Sequence, residues 1–251
     1  MKPISLQLYS VREAAAKDFF GVLKQVADIG YAGVELAGFH GKQPGEVRKV
    51  LNDLGLVVSS SGAPVPTKDN LAQIVDTAKL FGYRLVMCGK GPDDYKTMDA
   101  IKRTAAALQA GAELIKPHGV RLCFHNHWWE FCPVEGKLPY ELVLELAPDM
   151  SSELDVYWAC NFGAVDVPAV LKKHGKRVPI LHVKDGPLVR DQPHTAVGKG
   201  KMDIPPIVKA ADPKVLKWLV VELDSCATDM MAAVEESCRY LAESGLGKGK
   251  K

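Results

Sequence analysis

The chain has 251 residues, of which 47% are hydrophobic and 25% are charged. This composition excludes disordered, collagen-like and coiled-coil proteins, and the length suits either two ordinary domains or one large α/β barrel. Three of the 32 basic residues lie in the last four positions, which leaves 29 to balance 30 acidic residues in the rest of the chain. The rest of the chain therefore has no excess of basic residues that could bind a phosphate backbone, so we expect no sequence-independent nucleic-acid binding.

The cysteines and the N-terminus predict a cytoplasmic protein. The six cysteines include no Cys-x-x-Cys pair, and a chain of this length does not depend on disulfides, so we expect reduced thiols. The first ten residues alternate apolar with polar side chains, whereas a signal peptide has a continuous apolar core. No apolar run reaches the roughly 18 residues of a transmembrane helix, so we expect no membrane partner.

Short apolar runs alternate with longer amphipathic stretches along the whole chain. This alternation is typical of βα units built on a parallel sheet. The eight predicted strands are Ile4–Ser10, Gly33–Gly38, Leu56–Ser61, Leu85–Gly89, Val120–His127, Ser152–Trp158, Ile180–Asp185 and Trp218–Asp224. The eight predicted helices are Asp18–Asp28, Pro44–Leu54, Lys68–Phe81, Tyr95–Lys116, Leu138–Leu146, Val167–His174, Ile204–Ala211 and Met230–Ala242.

Eight such units of about 31 residues each close naturally into a (β/α)8 TIM barrel. An open doubly wound sheet is the rival architecture, but no Gly-x-Gly-x-x-Gly follows the first strand. We predict one TIM-barrel domain over residues 1–245 and a flexible basic tail over 246–251. Glycine follows several predicted helices, where we expect left-handed caps, at Gly30, Gly55, Gly82, Gly119 and Gly175.

Polar residues gather where the predicted strands end, and this is the edge of a barrel that carries reactive groups. Carboxylates brought together there repel one another unless a cation lies among them, and mixed histidine and carboxylate ligation suits manganese, zinc, cobalt or iron. The residues at this edge are Arg12, Glu35, His125, Asn126, His127, Glu130, Glu153, Asp155, His182, Lys184, Asp185, Glu222 and Asp224.

Four of these segments carry a family resemblance. They are His-Asn-His-Trp-Trp-Glu-Phe at 125–131, Glu-Leu-Asp at 153–155, His-Val-Lys-Asp at 182–185 and Val-Glu-Leu-Asp at 221–224. The chain resembles the sugar-phosphate isomerase/epimerase superfamily of xylose isomerase-like barrels over nearly its whole length. The resemblance implies a TIM-barrel enzyme with one divalent metal ion, for which we expect manganese, with cobalt, zinc, magnesium or iron as alternatives.

The resemblance also implies metal ligands at the ends of strands five to eight. Asp155 matches the sixth-strand ligand, His182 the seventh and Glu222 the eighth. At the fifth strand the sequence departs from the sugar epimerases, which place a glutamate where a histidine stands here. In this variant we expect Glu130 to reach back to the metal, with His125 as the alternative.

The same departure affects the expected reaction. In the epimerases of this superfamily, two glutamates remove and return a proton beside a carbonyl. Here the pair becomes Glu222 and His127, and Lys184 is placed to polarise a carbonyl. We expect a metal-dependent sugar isomerase or epimerase, and the alternative is a lyase or dehydratase that performs β-elimination on a keto sugar, 3-keto glycoside or inosose. A nuclease resembling endonuclease IV is disfavoured, because Trp158 stands where its zinc centre needs a histidine.

Five residues are candidates for substrate contact. Arg12 either holds a substrate oxygen or is solvated, and Glu35 either faces the mouth or pairs with Arg12. Trp128 and Trp158 either stack on a sugar ring or pack on the barrel rim. Lys199 either admits an anionic substrate or is simply solvated. We expect a small sugar or keto-sugar substrate, a homodimer or homotetramer, and an oxidoreductase as a pathway partner.

The remaining polar residues receive structural roles. Of Glu153 and Asp155, one is expected to face the mouth and the other to lie deeper as the partner of a histidine. Asp185 and Asp224 are assigned to turns or caps. Four histidines without partners by spacing are assigned to the surface, namely His40, His118, His174 and His194.

Overall fold

The fold is a closed barrel of eight parallel strands, as predicted. The computed structural model describes residues 1–250. Each strand pairs with the next, and β1 pairs with both β2 and β8. The strands are β1 Lys2–Gln7, β2 Gly33–Leu36, β3 Val57–Gly62, β4 Leu85–Cys88, β5 Arg121–His125, β6 Ser151–Asp155, β7 Ile180–Val183 and β8 Trp218–Val221.

Helices follow the strands and surround the barrel. All eight predicted helices are present within the described residues, and two short helices that the sequence did not predict, α1 and α7, lie at the mouth. The helices are α1 Arg12–Lys17, α2 Phe19–Ile29, α3 Pro44–Asp53, α4 Leu71–Phe81, α5 Met98–Ile115, α6 Pro139–Leu146, α7 Val156–Ala159, α8 Val167–His174, α9 Ile204–Ala210 and α10 Met230–Glu243.

Helix α2 shows how the sequence sets these boundaries. Asp18 accepts a hydrogen bond from the Gly21 amide at 3.0 Å and so caps the first turn. Gly30 ends the helix with φ at +105°, a conformation that costs other residues energy. Gly175 differs from this pattern, because its φ of −56° is right-handed and it opens a 3-10 turn over Gly175–Arg177. The prediction of a left-handed cap is wrong at that position.

The apolar faces of strands and helices form one core. Ile4 and Leu6 of β1 are fully buried, as is Leu23 on the inner face of α2. Each such side chain contributes about 1.5–3 kcal/mol through its removal from water. All six cysteines are free thiols. Among the described helices, none combines the length and apolar character that crossing a membrane requires.

Strands β5, β6 and β8 end at His125, Asp155 and Val221, two or three residues before the predicted ends. The side chain of Asn126 explains the first two. Its Oδ1 accepts from the Asp155 amide at 3.0 Å, and its Nδ2 donates to the Asp155 carbonyl at 3.2 Å. The Asn126 side chain thus makes the hydrogen bonds that the next pair of backbone residues would otherwise make. At these points the chain leaves the barrel wall.

The end of the chain is more ordered than the expected flexible tail. Gly247 and Lys248 form a short strand, β9, that pairs with Lys2 and Pro3 of β1. A Cβ on Gly247 would lie 2.6 Å from Ile4 Cγ1, so only glycine allows the strand to approach β1 this closely. Gly247 and Lys248 therefore extend the sheet beside the first residues of β1, and position 251 lies outside the described residues.

Candidate metal centre

Four buried side chains converge at the carboxyl edge of β5 to β8. The ligand atoms of His125, Asp155, His182 and Glu222 all lie within 4.8 Å of one another. The register of the sheet brings them together, because Asp155 of β6 pairs directly with His182 of β7. This group of four contains three of the predicted ligands and the alternative fifth-strand ligand.

His182 is held from all sides by carboxylates. Its Nδ1 lies 2.8 Å from Glu222 Oε2, and its Nε2 lies 2.9 Å from Glu35 Oε1 and 3.2 Å from Glu153 Oε1. Burial lowers the pKa of His182, but the carboxylates of Glu153, Glu35 and Glu222 outweigh it and raise that pKa well above its ordinary value. A metal ion at Nδ1 would therefore replace a proton, while a carboxylate keeps the proton on Nε2. Glu153 is therefore the deeper partner that the sequence anticipated. Glu35 partners His182 and not Arg12.

Lys184 supplies positive charge to the same carboxylates. Its ammonium lies 2.9 Å from Asp155 Oδ2, 2.9 Å from Glu222 Oε2 and 2.8 Å from Asp224 Oδ2. Burial acts to raise the pKa of Asp155 and Glu222, but the Lys184 charge outweighs it and holds both pKa values below their usual range. Both carboxylates are therefore ionised at neutral pH, the form in which they bind a cation.

Behind His182, two buried glutamates share a negative charge. Burial and the neighbouring Glu35 carboxylate raise the pKa of Glu153 well above its ordinary value. Burial would also raise the pKa of Glu35, but His182 outweighs that effect and lowers it. Two negative charges this close together repel each other strongly in a buried site, so Glu153 keeps its proton while Glu35 is ionised.

The chemistry of the donor set fits a divalent ion. His125 Nε2 is buried without a hydrogen-bond partner among residues 1–250, and it lies 3.6 Å from Asp155 Oδ2 and 3.9 Å from Glu222 Oε2. Burial lowers the pKa of His125, which favours the neutral, ligating imidazole. An unpaired buried nitrogen costs about 1–3 kcal/mol, and coordination to a metal removes that cost. Two imidazoles with two carboxylates suit manganese, iron, cobalt or zinc.

Glu130 lies beside His127 and outside the group of four. It is fully buried, and its Oε2 accepts a hydrogen bond from the His127 amide at 2.7 Å. Its other oxygen lies 3.9 Å from His127 Nδ1. The ring of His127 stacks on Trp129 at 4.1 Å and meets the ring of His125 edge-on at 5.0 Å. The structure thus places His125, and not Glu130, among the four clustered ligand atoms.

The two predicted tryptophans flank a cavity of about 160 Å³ at the mouth. The guanidinium of Arg190 lies 3.7 Å over the Trp128 ring, and Lys184 Nζ lies 5.4 Å from the centre of the Trp158 ring. Phe162 contributes a third aromatic wall. Phe162 and Arg190 were not predicted, because the loops that carry them have no recognisable pattern in the sequence.

His194 corrects an expectation, because it is only 1% exposed and lies in the mouth. Its ring packs on Trp158 at 5.3 Å, and its Nδ1 accepts from the Asp224 amide at 3.2 Å. Its neighbours come from β6 and β8 and are distant in sequence, so residue spacing could not reveal them. His174 is also partly buried, with its Nε2 3.2 Å from Glu141 Oε1.

The remaining predicted contacts lie at the rim. Arg12 donates to the Asp224 carbonyl at 2.9 Å and lies over the Tyr9 ring at 4.1 Å, so it fixes the segment after β8. Lys199 is exposed on the loop after β7. Asp185 has the expected turn role, since its carboxylate accepts from four backbone amides of this loop, those of Gly186, Gly198, Gly200 and Met202.

A closed parallel barrel with a buried nitrogen and oxygen donor set at its carboxyl edge defines the class of TIM barrels with a candidate metal site at that edge. Within that class, the chain belongs to the xylose isomerase-like TIM barrel family, whose model matches residues 23–244. The family resemblance seen in the sequence is therefore confirmed. A comparison with curated proteins found no significant match.

Solved structures resemble the chain along nearly all of its length. A sugar phosphate isomerase/epimerase from Parabacteroides distasonis is 25% identical, with a TM-score of 0.81 over 98% of this chain and 96% of that one. The IolI protein with a bound zinc atom is 14% identical, with a TM-score of 0.73 over 97% of both chains. A probable 3-DHS dehydratase from Bacillus anthracis is 13% identical, with a TM-score of 0.74 over 96% of this chain and 99% of that one. The last two show likeness of fold.

Proposed function

We propose that the chain is a divalent-metal-dependent isomerase or epimerase that moves a proton beside the carbonyl of a sugar or keto sugar. The observation that carries the proposal is the group of four, with ionised carboxylates and neutral imidazole in one buried cluster. The name of the 25% identical relative, a sugar phosphate isomerase/epimerase, supports the same class.

His125, Asp155, His182 and Glu222 would hold the metal ion, for which we expect manganese. When bound, a divalent ion stabilises negative charge that develops on a carbonyl oxygen, so that a neighbouring C–H becomes acidic. The protein contributes a fixed donor geometry, because His182 is oriented by Glu35 and Glu153 before any ligand arrives.

Three side chains would handle the proton. Glu222 is ionised, and one of its carboxylate oxygens would accept the proton. His127 lies beside His125, with 5.0 Å between the ring centres; its side chain is 31% exposed, and it would return a proton from a ring nitrogen. Lys184, whose ammonium contacts three carboxylates, would exchange one of these contacts for a hydrogen bond to the oxygen on which charge develops.

The cavity at the mouth suits a small sugar. Its volume of about 160 Å³ is on the scale of one ring, and Trp128 and Trp158 offer flat apolar faces to the C–H side of that ring. Arg190 lines the cavity together with Asp191 and Asp224, so charges of both signs face it. A substrate with several polar groups matches this distribution.

A second candidate is elimination from a keto sugar, a 3-keto glycoside or an inosose. The observation that favours it is the histidine pair at β5. The His127 ring lies 5.0 Å from that of His125, and in its imidazolium form it would protonate a leaving group, which an ionised carboxylate cannot do. The two candidates share the first step, the removal of a proton beside the carbonyl.

Proton NMR of the products that the manganese-treated protein forms in D2O distinguishes the two candidate reactions. The substrates are a panel of ketoses, inososes and 3-keto glucosides, and manganese is removed by chelation before the spectra are recorded. Deuterium beside the carbonyl of an intact carbon skeleton identifies an isomerase or epimerase. Loss of water or of an aglycone identifies a lyase, and absence of exchange with every substrate overturns both. A sample chelated before incubation serves as the control.

A further inference from the structure

We propose that Glu130 is a positioning residue that orients the imidazole of His127 and fixes its tautomer, so that the two residues act as a carboxylate–histidine dyad beside the metal centre. The inference rests on the proposed function, which gives His127 the proton-transfer role. It assigns to Glu130 a task different from the metal ligation expected from the sequence.

The Glu130 carboxylate is anchored from one side. It lies in the 3-10 turn Trp129–Phe131 and is 0% exposed. Its Oε2 accepts from the His127 backbone amide at 2.7 Å, so the turn itself aims the carboxylate at the residue three positions earlier. This hydrogen bond directs Oε2 to the backbone of His127.

The second oxygen faces the ring of the same histidine. Glu130 Oε1 and His127 Nδ1 are 3.9 Å apart, and each is buried without a hydrogen-bond partner elsewhere in the described chain. A direct bond needs a separation of about 2.7–3.2 Å, while a bridging water needs roughly 5 Å. The gap is therefore too small for a bridging water, and a modest movement of the His127 ring would close it.

The surroundings of His127 permit that movement. The ring lies flat on Trp129, at 4.1 Å and with an angle of 15° between the planes, so rotation within its own plane keeps the stacking contact. Catalytic hydrogen bonds are often long without substrate and shorten when the site closes. Closing this one satisfies two buried polar atoms at once, each of which costs about 1–3 kcal/mol when left unpaired.

The dyad determines which nitrogen does chemistry. Burial raises the pKa of Glu130, and hydrogen bonding to His127 opposes that rise. In its ionised form the carboxylate accepts hydrogen bonds only, so it holds the proton of neutral His127 on Nδ1 and leaves the lone pair on Nε2. The more exposed nitrogen is then the one that takes or gives the substrate proton. The negative charge of Glu130 also stabilises the imidazolium that forms during transfer.

Glu130→Gln reverses this arrangement with almost no change in size. The amide oxygen of the glutamine has to accept from the His127 backbone N–H, so its NH2 group faces Nδ1. An NH2 group donates, and it therefore favours the tautomer with the proton on Nε2. The variant keeps the packing of residue 130 while it removes the lone pair from the working nitrogen.

The test is the tautomer of His127, read from long-range ¹H–¹⁵N correlations in histidine-labelled, zinc-treated protein at pH 8. The His127→Asn spectrum assigns the signals. We expect protonated Nδ1 in the wild type and protonated Nε2 in Glu130→Gln. With substrate, kcat should fall about 10²–10⁴-fold, the contribution of a general acid or base, while KM and bound metal stay unchanged.

Glu141→Gln is the matched control, because Glu141 forms a Glu–His pair with His174 on the outer helices, away from the group of four. It should change the His174 signals alone and leave turnover intact. Protonated Nε2 in the wild type overturns the dyad, and this spectrum tests it even if Glu130→Gln does not fold. An unchanged His127 tautomer in Glu130→Gln overturns it too.

If Glu130→Gln loses its bound metal, the dyad is also overturned, because Glu130 would then be a metal ligand. The proposed function fails by a different result, namely a wild type without exchange on any substrate. The two failures are therefore distinguishable, since the tautomer is read without turnover.

Discussion

The two sides of the candidate metal centre are built differently. On the β7 side, His182 is fully buried and meets three carboxylates at 2.8–3.2 Å. On the β5 side, His125 and His127 each have a buried ring nitrogen without a partner among residues 1–250. One histidine is fixed before any ligand binds, whereas the other two gain their partners from an ion, a substrate or a small movement.

This difference follows from where the residues come from. Glu35, Glu153 and His182 lie within or at the end of strands, so the sheet register determines their positions. His127 and Glu130 lie in the loop after β5, which turns out of the barrel at Asn126. The rigid side suits permanent ligation, and the side with unpaired nitrogens suits groups that change partners during a reaction.

The largest expected effect comes from Glu222→Gln, which removes a carboxylate shared by both sides. It takes away a candidate ligand charge and the proposed proton acceptor, so turnover should fall at least about 10²–10⁴-fold. Metal affinity should fall by more than the roughly 100-fold that loss of an outer partner costs. Isothermal titration with manganese and a turnover assay measure the two effects, and full activity in this variant would contradict the site.

His127→Asn tests the β5 side alone. Because His127 lies outside the group of four, the variant should keep its metal affinity while kcat falls about 10²–10⁴-fold. Loss of metal with the loss of activity would instead make His127 a ligand. His125→Asn is the comparison, since it should weaken metal binding itself.

Glu35→Gln tests the β7 side. Glu35 Oε1 lies 2.9 Å from His182 Nε2, and loss of its charge should weaken metal binding about 10–100-fold through a less well oriented His182. The melting temperature measured with and without manganese reports the change. Equal metal stabilisation of variant and wild type would show that the carboxylates behind His182 do not matter for binding.

The smallest effect is expected for the Glu141–His174 pair on the outer surface. Burial acts to raise the pKa of Glu141, but hydrogen bonds from Lys173 and His174 outweigh it and lower the pKa. The pair therefore stabilises the fold above the ordinary glutamate pKa and loses this contribution as the pH falls through the lowered pKa. Melting curves from pH 7 to pH 3 should show that the free energy of unfolding of the wild type exceeds that of Glu141→Gln by about 0.2–1 kcal/mol at neutral pH. This difference should disappear in acid.

The sequence was sufficient for the barrel and for much of the candidate site. Periodicity and helix-end glycines predicted eight strands and eight helices, and the histidines and carboxylates at strand ends did converge. Strand ends were less predictable, because apolar and aromatic residues continue past β6 into the mouth. Only the side-chain hydrogen bonds of Asn126 mark the point where the chain leaves the sheet.

Loop residues were the least predictable part. His194 was placed on the surface, yet it is buried beside Trp158 because loops after β6, β7 and β8 meet there. Glu130 and His127 are three residues apart, but a spacing of three does not reveal whether a carboxylate faces a metal or a neighbouring ring. The direction in which Glu130 faces depends on where the 3-10 turn begins, and the pattern of residue types does not determine that position.

The carboxylate of Asp185 makes the loop after β7 an exchangeable unit. It binds the amides of Gly186, Gly198 and Gly200, so both ends of the loop are attached to one side chain. Within the segment between them, residues 189–192 are exposed and carry Arg190, whereas His194 is buried against Trp158. Libraries grafted over residues 189–192 would therefore vary one wall of the cavity on a constant barrel.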